Sequence, residues 1–559
     1  MRRFFLLCLT LLTTGLTTAT TIGQEAAREK AEKLLGKPMV GMLGTTPAKI
    51  APKEQDEAAF FVFNAVDGAG FAIISAEEEL GDVLGYSPTG SGSADMPDAL
   101  RLYLDTYRQY VQQYRQGAAE AKPAAYTRSV NGAGPLLTTQ WSQEAPFNNL
   151  CPMDGNERSL TGCVATSMAQ IMRYWEWPVQ GSGYGRATCG TEVVAGALNH
   201  FYQWDAMLDT REQLEASEGA AAAVAELMYD CGLAVGMDYG ALASGAMSPF
   251  KGLYMNFGYS PATLRAYRRD CFESDTEWLD TIFHELDNGR PLYYGASSAT
   301  AGESGHAFVI DGYDTNALLH VNWGWGGAYD GYYDVTLMNP AGFKFTVDQD
   351  IVVGIEPARN GETGAPTEYP YMGVAPICKQ KGTISTSVSF DITIGGVCNF
   401  GTNAHSWTPS VGLYDTNNQL LSEVKMRGGE IGTLHLDPYT GFTGNMGDLP
   451  CSLASKTVAD GHYALRIIFK ENGSWILPDT KGGQKNNAIY IEVSGKRLTF
   501  TDGTAYLEAL QTSGIKRPAE MPEQPQSTRY YNLQGREAGF STKGVMIVKH
   551  GNAVRKIVR

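Results

Sequence analysis

The sequence is poor in positive charge, in cysteine and in histidine, and it has no long apolar run. Lys and Arg number 44 against 60 Asp and Glu, a formal net charge of −16. A nucleic-acid-binding surface needs clustered basic residues, so this balance argues against that class of function; it bears on solubility more than on fold or chemistry. Nine cysteines in 559 residues are too sparse for a disulfide-stapled scaffold, and no Cys-x-x-Cys pair or compact Cys/His cluster suggests zinc. Past the N-terminus no stretch supplies the roughly 20 apolar residues of a membrane helix. What is present is 43% hydrophobic and 11% aromatic content, the composition of a globular protein with real cores. At roughly 150 residues per domain the length suggests three or four domains.

Arg2 and Arg3 precede an apolar run from Phe4 to Leu12, then small and hydroxyl residues through Thr21. This charged, apolar, small-residue order reads as a secretory signal peptide over residues 1–21, with an exported protein beyond it. Cys8 lies in the middle of the run, which does not suit a lipoprotein. From Glu25 to Gln116 the pattern is a small α+β unit: a helix over Ala26–Leu35, two strands on either side of Asp67-Gly68, and a second helix over Met96–Tyr114. The stretch Gly117–Pro135 is a Gly/Pro and small-residue linker, the kind of segment where proteolytic nicking concentrates. After Leu136 helical and strand-like patterns alternate as far as Ile355. Beyond a second linker, Glu356–Pro370, the period changes to two, and short strands with Asn/Gly/Asp turns suggest a β-sandwich of immunoglobulin type. Cys378, Cys398 and Cys451 lie in this region; they could pair or stay buried. Arg517–Gln526 is Pro-rich and isolates a last block with two or three strands.

Three stretches carry candidate chemistry. Cys163 stands where an apolar-faced helix (Val164, Met168, Ile171, Met172, Trp175) begins. A helix N-terminus lowers a thiol pKa and turns N–H groups toward a reacting carbonyl, although a free cysteine is often simply core. His306 opens an apolar strand, and Gly305 before it permits close backbone approach by a ligand; a histidine that merely caps a strand is the plainer alternative. Leu319–Gly327 should pair with that strand and bring Asn322 or Trp323 beside His306. An amide there can fix the imidazole tautomer, and a tryptophan can shield that bond from water. His320 is a competing base on the same strand but lacks the leading glycine. His306 follows Cys163 by 143 positions, within the roughly 130–150 residues typical of papain-type enzymes.

The stretches TGCVATSMAQIMRYWEWP, GHAFVIDGYD and HVNWGWGGAYDGYY resemble the signature motifs of the streptopain family, secreted bacterial cysteine proteases of papain-like fold. The likeness runs from about Trp141 to Asn339. It implies that Cys163 is the nucleophile, His306 the base, Trp323 the tryptophan over the histidine and Asn322 its neighbouring asparagine. The family's oxyanion-hole glutamine stands in a Gln-x-x-Pro-aromatic-Asn stretch, which makes Gln143 the candidate and Gln140 the runner-up. Met237–Ala246 resembles a substrate-facing loop with Ser244 as its serine, and Gly305 is placed to bind substrate backbone. The segment FVFNAVDGAGFAIISAEEELGDVLGYSPTG resembles the family propeptide, whose removal would fall in the first linker, near Arg128. The last block, with Asn532–Arg536 and Lys543–Val545, resembles the sorting domain of proteins exported by the type IX machinery.

The expected protein is therefore α+β. A signal peptide (1–21) is followed by an inhibitory α+β propeptide (22–128), a papain-like catalytic domain (129–357), an immunoglobulin-like β-sandwich (365–496) and a sorting domain (527–559). Its partners would be protein or peptide substrates, its own propeptide as inhibitor and the type IX secretion machinery, with no nucleic acid; the chemistry calls for no metal or organic cofactor, and a monomer is expected. A Cys-His cell-wall amidase or transglutaminase, or a surface adhesin with a vestigial protease domain, are the rival readings.

Overall fold

Apolar spacing decides the N-terminal elements. In the helix Asp98–Arg115, Leu100, Tyr103, Leu104, Tyr107 and Val111 recur at helical spacing and are all buried, as an amphipathic helix requires. In the computed structural model, described residues are 21–41, 58–90, 92, 96–119, 130–298, 305–338, 346–359, 361–426, 431–512, 528–532, 537–538, 545–550 and 553–558. The expected signal peptide, the cut near Arg128, the Pro-rich linker and most landmarks of the sorting domain lie outside them. The chain divides into two units, residues 1–132 with 297–305 and 313–347, and residues 133–296 with 306–312 and 348–559.

The first unit is built on an antiparallel sheet in the order Met39–Gly41, Phe60–Ala65, Phe71–Ser75, Val83–Ser87, Gly331–Tyr333, Leu319–Asn322. The two expected strands pair about the Asp67-Gly68 turn, with Phe60 opposite Ser75 and Asn64 opposite Phe71. The helix Gln24–Leu35 sets Ala27 and Ala31 on Met39, Phe63, Ala72 and Ile74. Val83–Ser87 joins directly to Gly331–Tyr333, with Tyr86 opposite Tyr332 and Gly85 opposite Tyr333. A Cβ at Gly85 would lie 2.4 Å from the Tyr333 ring, so only glycine lets the two strands meet. The Tyr86 hydroxyl donates to Asp314 Oδ2 at 2.8 Å and its ring stacks on Tyr332 at 5.2 Å. Tyr103 reaches over the strands to the carbonyls of Leu84 (2.8 Å) and Asp334 (3.1 Å).

In the second unit the helix Cys163–Trp175 is central. Val164, Met168, Ile171 and Met172 face the core as expected, but Ala165, Thr166, Ser167, Ala169 and Gln170 are buried too, packed among Glu218–Ala234 and neighbouring segments. Beside it stands a sheet ordered Arg265–Arg268, Thr346–Val353, Leu292–Ser298, His306–Tyr313. Two β layers follow. Thr383–Ser385, Arg497–Phe500, Ile489–Ser494, Gly461–Glu471, His405–Tyr414 and Leu420–Glu423 form one; Ile377–Cys378, Phe390–Ile394 and Gly447–Cys451 form the other. Trp407, Val411, Leu465, Ile467 and Phe469 meet Phe390, Ile392, Ile394 and Leu449 between them, which is a β-sandwich core. The sheet runs past the expected limit at residue 496 through Arg497–Phe500. The helix Thr504–Thr512 then buries Tyr506 against Tyr414, Ala464 and Ile468. Cys378, Cys398 and Cys451 are free thiols. Among the described residues the terminal block shows four strands, ordered Glu537–Ala538, Thr528–Asn532, Val545–His550, Ala553–Val558. Among the described residues no helix is long and apolar enough to cross a membrane.

Candidate active site

Cys163 is the first residue of its helix because Gly162 makes the entry. Gly162 has φ 85°, and a Cβ there would meet Met237 Cε at 2.6 Å and the Ser244 carbonyl at 3.2 Å. This backbone conformation is open to glycine and costly for other residues. The Cys163 sulfur is approached by the peptide N–H groups of Ala307, Val164 and Cys163 itself. Burial pushes the thiol above its ordinary pKa, and those three donors pull it back. The lowered thiol expected from the helix terminus is thus present as a local pull, while desolvation sets the net direction upward.

The Ala307 N–H brings the strand of His306 to the nucleophile. His306 is partly buried and pairs with Ala296, and Ala307 with Gly295, so the histidine begins at the residue flanking the sulfur. Asp311, further along, is fully buried; its Oδ2 takes the Leu137 N–H at 2.9 Å and its carbonyl takes the Leu136 N–H at 2.9 Å. Thr139 in turn donates to Gln170 Oε1 at 2.9 Å, on the Cys163 helix. The segment leading to Gln143 is therefore hung between the strand of the histidine and the helix of the cysteine.

Gln143 is half-buried and its carbonyl accepts the Thr161 N–H at 3.1 Å, two residues before Cys163. Asn148 holds the same crossing by donating to the Ser159 carbonyl at 3.0 Å. Gln140 is exposed and its N–H goes to the Asp209 carbonyl at 2.8 Å, on another path. Ser244 Oγ takes the Gly240 N–H at 3.0 Å and donates to the Leu160 carbonyl at 2.8 Å. Its hydroxyl is committed to the loop, and its carbonyl faces Gly162.

Gly305, Asn322 and Trp323 belong to the other unit. Gly305 is exposed. Asn322 is 4% exposed and its Oδ1 accepts the Gly324 N–H at 3.1 Å. Trp323 is buried, donates its peptide N–H to Asp330 Oδ1 at 2.9 Å and meets the Tyr333 ring edge-on at 5.2 Å. His320 sets its ring against Tyr332 at 5.0 Å. Among the described residues no group of His, Cys, Asp and Glu is gathered to hold a metal ion. Sequence reasoning missed Ala307, Met237 and Asp311. Asp311 had a signal, an acid and a glycine inside an apolar strand; backbone donors and a space-filling methionine have none.

Residues 141–333 match the Peptidase C10 family, and residues 19–111 match the Spi protease inhibitor family. The thiol protease/hemagglutinin PrtT of Porphyromonas gingivalis is 33% identical over 389 residues, 64% of this chain and 44% of that protein. The chain thus spans less than half of PrtT. Streptopain of Streptococcus pyogenes is 31% identical over 331 residues, 53% of this chain and 80% of streptopain. Among solved structures, a prointerpain A fragment of Prevotella intermedia is 31% identical with a TM-score of 0.47, covering 55% of this chain and 98% of the fragment. Active interpain A from the same organism is 37% identical with a TM-score of 0.37, covering 42% and 99%. With most of streptopain matched at this identity, this chain belongs to the Peptidase C10 family.

Proposed function

We propose that the chain is the precursor of a secreted cysteine endopeptidase, with Cys163 as nucleophile and His306 as general base. The observation that supports the reading is the Ala307 N–H turned toward the Cys163 sulfur; His306 is the residue before Ala307, and Cys163 opens its helix. His306 takes the thiol proton, and the sulfur attacks the peptide carbonyl carbon. The developing oxyanion is held by the Cys163 N–H and the Gln143 amide, where one side-chain donor is worth roughly 3 kcal/mol. The tetrahedral adduct collapses to a thioester as His306 returns its proton to the leaving amine. Water, deprotonated by His306, then releases the acid and restores the thiol. The family likeness gives Asn322 the orientation of the imidazole and Trp323 its shielding; Gly305 and the loop of Ser244 are assigned to substrate backbone.

The inhibitor-like segment at 19–111 supports latency. Its strand Val83–Ser87 is paired with Gly331–Tyr333, so it leaves only when that ladder is broken. Cleavage in Gly117–Pro135 would release it. The leader and the terminal block support export through the type IX route.

The test is expression of residues 22–559, wild type beside Cys163→Ala, followed by electrophoresis and a casein assay with reductant. Wild type is expected to trim itself between residues 117 and 135 and to digest casein, while the variant stays intact and inert. If neither species is active after another protease has removed the first segment, the peptidase reading fails.

A further inference from the structure

The sandwich is docked on the protease-like part of the second unit by an aromatic and charged seam. The Arg268 guanidinium lies 4.4 Å from the Phe400 ring centroid and 5.3 Å from that of Tyr371, and Arg265 lies 3.7 Å from Tyr369. Arg265 also pairs with Asp479 at 3.0 Å, and the Tyr371 hydroxyl donates to Asp270 Oδ2 at 2.8 Å. Tyr371 and Phe400 belong to or adjoin a small sheet whose edge strand is Thr440–Gly441, with Asn399 opposite Thr440.

The turn before that edge is unusual. The Asp437 carbonyl accepts the Thr440 N–H at 3.2 Å, with Pro438 and Tyr439 between. Proline at the second position and positive φ at the third describe a type II turn, where glycine is the suited residue. Here a tyrosine takes φ 57° and stays 48% exposed. Bulky residues in the left-handed region cost about 1 kcal/mol or more and collect at functional sites. A ring kept at that cost and left half exposed is not placed there by core packing alone.

Its surroundings lead to the nucleophile. Arg268 is opposite Asp350 in the sheet. On the next strand Gly295 leaves room for Asp350: a Cβ there would lie 2.7 Å from Asp350 Oδ1 and 3.0 Å from the Tyr293 hydroxyl. Gly295 is opposite Ala307, whose N–H reaches Cys163. The charges of Asp350 and Glu368 bear on the Tyr439 hydroxyl, after burial the main causes that raise its pKa, and Tyr439 and Cys163 both bear on Tyr293.

Resting on the peptidase reading above, we propose that the sandwich forms part of the peptide-binding cleft and that Tyr439 is a specificity-determining residue, laid against an extended substrate on the Gly295–Asp350 side of Cys163. A substrate that occupies only the ground next to the sulfur does not reach it.

The test compares processed wild type with Tyr439→Gly and Tyr439→Asn, which suit the positive φ and keep the turn. Four readings are taken: the rate of Cys163 alkylation by iodoacetamide, hydrolysis of a single-residue ester, kcat/KM for an extended casein-derived peptide, and the melting temperature. Alkylation and ester hydrolysis are expected to stay unchanged, kcat/KM for the extended peptide to fall about tenfold through KM, and the melting temperature to hold or rise. Unchanged kcat/KM in both folded variants overturns the inference and leaves the peptidase reading standing. A wild type that is alkylated at Cys163 but cleaves neither substrate overturns both.

Discussion

At the scale of single residues, the candidate site depends on a glycine as much as on its cysteine. Gly162→Ala would strain a φ of 85° and drive a methyl to 2.6 Å from Met237 Cε. The strain alone costs about 1 kcal/mol, and a displaced nucleophile costs about a hundredfold in kcat/KM. Peptide hydrolysis and thermal melting of Gly162→Ala check both. Adding Met237→Ala should recover part of the activity, because it restores space but not φ; no recovery would mean that backbone strain alone sets the loss. Cys163 and His306 stood out in the sequence as candidates because chemistry leaves few residue types to choose from. Ala307, which ties them, was not, since it contributes a backbone N–H that any residue other than proline could supply. Tyr439 was invisible for a related reason: its place is set by pairing across a sheet that no local pattern announces.

Secondary-structure elements were legible where one face is apolar and a turn residue marks the end. The pair Phe60–Ala65 and Phe71–Ser75 and the helix Asp98–Arg115 are of this kind. The helix Thr504–Thr512 was not, because nine residues anchored mainly by Tyr506 show no clear period. Nor does period two foretell that His405–Tyr414 is buried on both faces from Ser410 onward. The joint between Val83–Ser87 and Gly331–Tyr333 also lay beyond the sequence, being a pairing of residues nearly 250 positions apart. Its weak point is now nameable. Gly85→Ala sets a methyl into the Tyr333 ring at 2.4 Å, an overpacking worth about 1–3 kcal/mol. The precursor is expected to process itself faster than wild type, read as the rate at which the fragment appears on a gel. The processed species, having lost residue 85, should match wild-type activity; slower processing would show that the joint does not restrain the precursor.

On the scale of the whole molecule, composition and period separated a helix-bearing region from an all-β one, and they could not show how the two are joined. Glu368, in the connecting segment, accepts the N–H groups of Thr402 (2.6 Å) and Asn403 (2.9 Å) and bonds His405 Nε2 at 2.8 Å. His405 Nδ1 bonds Glu471 at 2.9 Å. Burial opposes charge on His405, but the two carboxylates outweigh it and raise its pKa above 6.5. Its contribution to stability is therefore full below 6.5 and lost as the pH rises through the folded value. Burial likewise resists ionisation of Glu368, and the bonds from His405, Thr402 and Asn403 hold its pKa below 4.5. That contribution is full above 4.5 and lost as the pH falls through the folded value. The joint is firmest between 4.5 and 6.5. Melting scans should show a maximum there, and His405→Gln should lower it and flatten the alkaline decline. A wild-type profile without that decline would remove His405 from the account.

The strand pairing at Gly331–Tyr333 has a colloidal side. Removal of the first segment would take the ladder to Val83–Ser87 with it, and the Tyr332 ring would lose the Tyr86 ring that covers it. What remains is a bare sheet border flanked by aromatic rings, the kind of margin on which chains adhere to one another. Maturation would then exchange latency for stickiness, and a concentrated stock would keep better as precursor than as finished product.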